Sequence, residues 1–326
     1  MPERVVVTGG SGFIGSTLCE YLVGKGYTVF NLSKHTYATN PRTLAHLEQC
    51  DNYHFTPLDI TDQIRLYKWL REVEPDAVLH LAAETHVDRS FVYPKDFLFT
   101  NVWGTFNLLE CLRQLECKVR LVYMSTDEVF GDTPQPYFCK ESDPISPRNP
   151  YSASKAAAEC YVNAYHYSYG LDTVIVRSMN NYGPRQHPEK LIAKIITRNL
   201  LGIPYTLYEG DAVRGWLYVE DTASALEFIM CNGVSGEVYH IPAMVYLTVP
   251  EVNWIICQVL EEEFSVKPVF QGFKGKRLKD DERYALDGSK LRQLGWSPKT
   301  GFFEGVRRTI KWYQENRWFW EYFYTH

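Results

Sequence analysis

The chain has 326 residues, enough for one large or two medium domains, and its apolar fraction of 45% is ordinary for a globular protein. A formal charge of -5 gives no general pull towards a nucleic acid polymer or an anionic membrane, so an anionic ligand needs a local basic cluster. No stretch approaches the roughly 20 apolar residues that span a bilayer, and eight scattered cysteines without metal-type spacing are the pattern of a reduced, cytoplasmic protein.

Arg4 to Thr8 reads as a strand and about Phe13 to Gly24 as a helix. That N-terminal apolar run leads straight into a glycine-rich turn, unlike a signal peptide. Strands follow at Thr28 to Leu32 and His54 to Leu58, then a helix from about Gln63 to Glu72 and a strand at Ala77 to Leu81. Helix Asn101 to Leu115, strand Arg120 to Met124, helix Tyr151 to Tyr169 and strand Asp172 to Arg177 continue the alternation. Strands separated by helices imply a parallel, Rossmann-type doubly wound α/β sheet, with ligands at the carboxyl ends of its strands. Beyond it, Lys190 to Leu201, Val219 to Met230, Val249 to Glu263 and Phe302 to Asn316 read as helices and Tyr205 to Tyr208 as a strand. We expect a dinucleotide-binding domain over 1–178, with room for later segments to return to it. A smaller mixed α/β substrate domain is expected over 179–326. The tail Trp318-Phe319-Trp320-Glu321-Tyr322-Phe323-Tyr324 is so aromatic that it should pack against the body or a partner.

The turn Gly9-Gly10-Ser11-Gly12-Phe13-Ile14-Gly15 lies between the first strand and helix, where a backbone can approach a pyrophosphate. At the second strand's end, Asn31-Leu32-Ser33-Lys34-His35 lacks the carboxylate that selects NAD. Ser33 and Lys34 would tolerate the 2'-phosphate of NADP; equally, Ser33 can hydrogen-bond the ribose of NAD, the cofactor we favour. Asp59, with Ile60 beside it, reads as an adenine neighbour or a turn cap. Ala82-Ala83 reads as a passage for the cofactor or a tight helix contact.

Tyr151 and Lys155 share one helix face, so the ammonium can sit near the phenol and favour phenolate, bringing a group of ordinary pKa about 10 towards neutrality. Thr126 ends the preceding strand and can hydrogen-bond a hydroxyl being oxidised. Asp127 and Glu128 are either an acidic turn or an acid and a base held in different protonation states. The run Asn180-Asn181-Tyr182-Gly183-Pro184-Arg185-Gln186-His187-Pro188-Glu189-Lys190-Leu191 is dense in hydrogen-bonding groups, and Arg214 and Arg277 offer cations to a diphosphate. A lone His86 in Thr85-His86-Val87-Asp88-Arg89-Ser90 is more often structural than catalytic.

TGGSGFIGS (8–16), TYATN (36–40), LDITD (58–62), HLAAETHVDRS (80–90), TNVWGT (100–105), STDEVFGD (125–132), NPYSASKAAAE (149–159), NNYGPRQHPEKL (180–191), WLYVEDT (216–222) and ERYALD (282–287) run almost end to end. On these motifs the chain resembles the nucleotide-sugar 4,6-dehydratases, which are extended short-chain dehydrogenase/reductases and lyases. The resemblance implies a tightly held, recycled NAD, a nucleoside-diphosphate hexose substrate (dTDP- or UDP-linked) and a homodimer built on the helices at 101–115 and 151–169. It implies catalysis by Thr126, Asp127, Glu128, Tyr151 and Lys155. Dinucleotide contacts are expected from Gly9, Gly12, Phe13, Ile14, Gly15, Ser33, Lys34, Asp59, Ile60, Ala82 and Ala83, besides Tyr151 and Lys155. Substrate contacts are expected from His86, Asn180, Asn181, Glu189, Lys190, Leu191, Tyr205, Arg214, Asn253 and Arg277. The Asp-Glu pair sets dehydratases apart from sugar-nucleotide epimerases; an epimerase, a decarboxylase or a non-catalytic nucleotide sensor are the competing readings. Four features depart from the pattern. Ser33 and Gly215 each replace an Asp, residues 208–213 are shortened, and Arg277-Leu278-Lys279-Asp280 replaces R-P-G-H.

Overall fold

The computed structural model describes residues 2–276 and 281–325. Its strands are β1 (Arg4–Thr8), β2 (Thr28–Ser33), β3 (Tyr53–Pro57), β4 (Ala77–His80), β5 (Arg120–Thr126), β6 (Thr173–Ser178), β7 (Asn180–Tyr182), β8 (Tyr205–Glu209), β9 (Val213–Tyr218), β10 (Val238–Ile241), β11 (Val245–Thr248) and β12 (Phe270–Lys276). The helices are α1 (Phe13–Gly24), α2 (Gln63–Val73), α3 (Val87–Val92), α4 (Pro94–Phe97), α5 (Gly104–Arg113), α6 (Pro150–Tyr169) and α7 (Leu191–Leu201). They continue with α8 (Val219–Asn232), α9 (Val249–Phe264), α10 (Ser289–Leu294), α11 (Phe302–Glu315), α12 (Arg317–Trp320) and α13 (Tyr322–Thr325).

Seven strands form one parallel sheet in the order β10-β6-β5-β4-β1-β2-β3. Strand order reverses between β1 and β4, which opens the crevice used for ligands in such sheets. Neighbouring residues of one strand feed opposite cores: Val5 and Val7 pack with α1 and α8, while Val6 packs with α2, α5 and α6. The expected Rossmann-type sheet is therefore present. β10 extends it, so residues beyond 179 contribute to this layer as well as to the second one. That second layer holds β11-β9-β7 and β12-β8, with its own core of α7, α9 and α11 residues.

One helix differs from expectation. α5 begins at Gly104, and the chain before it is helical in short pieces from Val87, with a π-helical turn at Leu98–Trp103. Pro94 restarts the chain after α3, and apolar Leu98, Phe99 and Trp103 are exposed, which breaks the periodicity that sequence reading relies on.

Candidate active site

The glycine turn is a cradle built without room for side chains. Gly9 takes φ 73°, and a Cβ on it would sit 2.8 Å from the Ala82 backbone; a Cβ on Gly15 would sit 2.2 Å from the Gly9 carbonyl oxygen. Gly12 caps α1 and donates its N–H to Gly9 O at 3.0 Å, while Phe13 and Ile14 open the helix. Ala82 reaches β1 from the other side by donating its N–H to Thr8 Oγ1 at 3.2 Å. The turn therefore abuts Ala82 at the β1/β4 switch, with Ala83 next in chain.

At the end of β2, Ser33 is buried. Its Oγ accepts from Ser11 N–H at 3.0 Å and donates to Asn31 Oδ1 at 2.8 Å, tying β2 to the glycine turn. Lys34 is likewise engaged, its ammonium 2.8 Å from Asp59 Oδ2. Burial pushes the Asp59 carboxyl up, but the Lys34 ammonium and the groups of Thr61 outweigh it and hold it below its ordinary value. Ile60 is buried, and its carbonyl accepts from Asn107 Nδ2 at 3.3 Å.

β5 ends at Thr126, and a single 3-10 turn then carries Asp127 and Glu128. Thr126 donates its hydroxyl to Asp127 Oδ1 at 3.0 Å and accepts the Glu128 N–H at 3.3 Å. The other Asp127 oxygen, Oδ2, is buried without a hydrogen-bond partner among the described residues. Burial first, then the Glu128 carboxylate, push the Asp127 carboxyl up to about 7, against the Thr126 hydroxyl and the Arg214 charge. A protonated Asp127 beside Glu128 is an acid next to a carboxylate.

α6 starts with a capping box: Asn149 Oδ1 accepts from Ser152 N–H, Ser152 reaches back to Asn149, and Pro150 takes the first turn. Asn149 Nδ2 also donates to Glu128 Oε2 at 3.0 Å, joining the carboxylate pair to the helix of Tyr151 and Lys155. The pattern N-P-x-S signals the cap; the reach to Glu128 is tertiary and carries no sequence signal. Asn101, in the π-helical turn, clamps both the N–H and C=O of Glu84 and donates to Ser154 Oγ at 2.8 Å. The strand-end loop after β4 is thereby fixed against α6.

Tyr151 and Lys155 do share the helix face, but the ammonium does not make the phenol more acidic here. Lys155 Nζ donates to Met124 O at 2.6 Å and lies 4.3 Å over the Tyr123 ring. Burial pulls its pKa down to about 7, with Glu159 opposing. Burial and then the Glu128 carboxylate hold the Tyr151 phenol above its ordinary value, against the Thr126 hydroxyl. Helical spacing set the face, and the Met124 carbonyl set the rotamer.

The residues expected on the substrate side fall in several separate places. Glu189 meets His86 Nε2 at 3.5 Å, accepts from the Tyr37 hydroxyl at 3.4 Å and precedes Lys190, the N-cap of α7, and Leu191. His86 itself caps α3, accepting from Arg89 N–H at 3.3 Å. Asn180 and Asn181 lie on β7, where Asn181 donates to Ser178 Oγ and Met179 O and accepts from Thr222. Tyr205 and Asn253 instead hydrogen-bond each other at 2.7 Å inside the second core, so their side chains hold that layer together. Arg214 donates to the Asp281 carbonyl at 2.7 Å and stacks at 4.5 Å on Tyr284, a ring that sequence reading did not single out. Arg277 lies outside the described residues.

Gly215 has a local explanation. It pairs with Tyr246 across β9 and β11, and a Cβ on it would come within 2.4 Å of Met179 and 3.1 Å of the Tyr246 ring. Tyr246 and Met179 fill the space that an Asp side chain would need.

A dinucleotide-type crevice ending against a Tyr–Lys helix, under a smaller cap layer, is the architecture of extended short-chain dehydrogenase/reductases. The chain belongs to the GDP-mannose 4,6 dehydratase family, whose model matches residues 6–309. It is 42% identical over 333 residues to dTDP-glucose 4,6-dehydratase of Haemophilus influenzae, covering 96% of this chain and 98% of that protein. The structure of DesIV, a dTDP-glucose 4,6-dehydratase from Streptomyces venezuelae with NAD and a second ligand bound, matches with a TM-score of 0.91 and 40% identity. The match covers 98% of this chain and 99% of that one. UDP-glucose 4-epimerase of Thermus thermophilus, solved with NAD, matches at a TM-score of 0.87 and 33% identity, covering 96% and 99% of the two chains.

Proposed function

We propose that this chain is an NDP-hexose 4,6-dehydratase, a hydro-lyase that converts a dTDP- or UDP-linked glucose-type sugar to its 4-keto-6-deoxy form. The observation that carries the reading is the Asp127–Glu128 pair at the end of β5, one member raised to a pKa of about 7 and the other tied by Asn149 to the Tyr151 helix. The near end-to-end likeness to dTDP-glucose 4,6-dehydratases supports it. The epimerase shares the fold, and the carboxylate pair is what separates the two reactions.

NAD fits the residues present. The turn of Gly9, Gly12 and Gly15 packs so tightly on its own backbone and that of Ala82 that side chains are excluded there, as a close backbone approach to a pyrophosphate requires, and Asp59 already neutralises Lys34, which disfavours a 2'-phosphate at that corner. Gly9, Gly12, Ala82 and Lys155 would hold it, and when bound it supplies a hydride acceptor and later returns the hydride. In its ionised form Tyr151 takes the proton of the sugar C4 hydroxyl, which Thr126 orients. The C4 ketone acidifies C5; Glu128 removes that proton, Asp127 protonates the C6 hydroxyl as it departs as water, and Glu128 returns a proton to C5 when the hydride reaches C6. His86, Asn180, Asn181, Glu189, Lys190, Leu191 and Arg214 are assigned to the sugar nucleotide.

We assign a homodimer through the α5 and α6 faces, where Trp103, Phe106 and Tyr161 form an aromatic row with Trp103 and Tyr161 exposed. No helix among the described residues is long and apolar enough to cross a membrane. Incubation with dTDP-, UDP-, GDP- and CDP-glucose tests the function: a 4-keto product lighter by one water identifies the substrate.

A further inference from the structure

The geometry points to the aromatic C-terminal segment, residues 317–324, as a brace that positions the sugar-nucleotide loop 186–190, with Phe323 and Asn40 as its positioning residues. Core packing explains only part of this segment. Phe319 and Trp320 are buried, Trp320 donating its indole N–H to Tyr313 O at 2.7 Å and Phe319 lying 5.1 Å from Trp312. From that anchor two contacts reach outward.

The first goes to the loop that leaves β2. Asn40, itself buried, donates Nδ2 to Phe319 O at 3.0 Å; Arg42 donates to Trp318 O at 3.4 Å and lies 5.2 Å over the Trp318 ring. The second goes to the loop before α7. The Phe323 ring lies 4.3 Å from the His187 ring, whose Nδ1 accepts the Glu189 N–H at 3.1 Å. Tyr37 closes the circuit: its hydroxyl donates to Glu189 at 3.4 Å, and its ring meets His187 edge-on at 5.8 Å. Phe319, Asn40, the Tyr37 loop, Glu189, His187 and Phe323 thus form one ring of contacts. Burial, with Lys190 and His86 adding to it, holds His187 neutral at a pKa of about 4, so Phe323 meets an uncharged ring whose Nδ1 stays an acceptor.

The ring fixes Glu189 and Lys190 before a ligand arrives and touches none of Thr126, Asp127, Glu128, Tyr151 or Lys155. Preorganising a binding loop lowers the ordering cost of binding and leaves the chemical step alone. The brace therefore acts on sugar-nucleotide affinity. It rests on the dehydratase reading for the identity of that ligand.

The test is steady-state kinetics of Phe323→Ala and Asn40→Ala with the nucleotide hexose that the wild type accepts. Calorimetric binding of the matching nucleoside diphosphate and thermal melting are run beside it. We expect KM and the diphosphate Kd to rise about tenfold in each variant and kcat to stay within about twofold. Phe323→Tyr, which keeps the ring, is expected to restore the wild-type KM. Unchanged KM and Kd in folded variants overturn the brace, as does a fall in kcat matching the rise in KM. If Phe323→Ala does not fold, Phe323→Leu is read the same way. Should the wild type dehydrate no nucleotide hexose, the dehydratase reading fails while the diphosphate Kd still decides the brace.

Discussion

Asn149 caps the helix that carries Tyr151 and Lys155 and, with its other amide atom, donates to Glu128 Oε2 at 3.0 Å. One side chain thereby couples the residue pair suited to oxidation at C4 to the pair suited to elimination across C5 and C6. Asn149→Ala should cost about 1 kcal/mol through the lost cap and slow elimination as well. Asn149→Asp should restore the cap and part of the melting temperature yet leave elimination slow, because it sets a carboxylate against Glu128. Melting curves and single-turnover kinetics separate the two effects.

Glu128→Gln removes the proposed base and keeps the shape. Reduced-nicotinamide absorbance should still appear on mixing with substrate, while water loss falls by a factor on the order of 100 or more. Water loss at the wild-type rate would show that another group takes the C5 proton.

Asp127 gives a stability signature. Its native pKa of about 7 lies above the unfolded value of about 4, so between these values the native state keeps a proton that the unfolded chain has released. Stability from this group therefore falls as pH rises across that window. Asp127→Asn should remove the loss, so its melting temperature should gain on the wild type from pH 5 to pH 8. A constant difference across that range would place the Asp127 carboxyl at its ordinary value.

The Lys34–Asp59 ion pair, 2.8 Å across, is proposed to set the preference at the adenosine end. Asp59→Asn frees the Lys34 ammonium, and the ratio of NADP to NAD affinity should rise by about tenfold. Fluorescence titration with both dinucleotides measures it, and mass analysis of the cofactor released from the wild type should give NAD.

Much of the site was legible because its parts sit where local chemistry marks a boundary. Gly9 to Gly15 must follow a strand and open a helix, Asn149-Pro150 must begin one, and Thr126 to Glu128 must end the run from Arg120. What stayed hidden depends on contacts between distant segments. Spacing put Lys155 on the Tyr151 face but could not foresee that the Met124 carbonyl would take its ammonium. Ser33 reads as a ligand group, whereas its bond to the Ser11 N–H, which ties β2 to the glycine turn, has no local signature. Gly215 reads as a lost Asp until Tyr246 is found in its space. The tail's aromatics announce burial, whereas the meeting of Phe323 with His187 has no local signature.

In the proposed reaction this chain oxidises C4, eliminates water across C5 and C6, and returns the same hydride to C6. An NDP-glucose deuterated at C4, in the nucleotide form that the protein accepts, tests it directly. The expected product is a 4-keto sugar lighter by one water, with the deuterium at C6 and no net change in the cofactor. Deuterium at C4 of a sugar inverted at that carbon, with the C6 hydroxyl intact, would make the protein an epimerase instead.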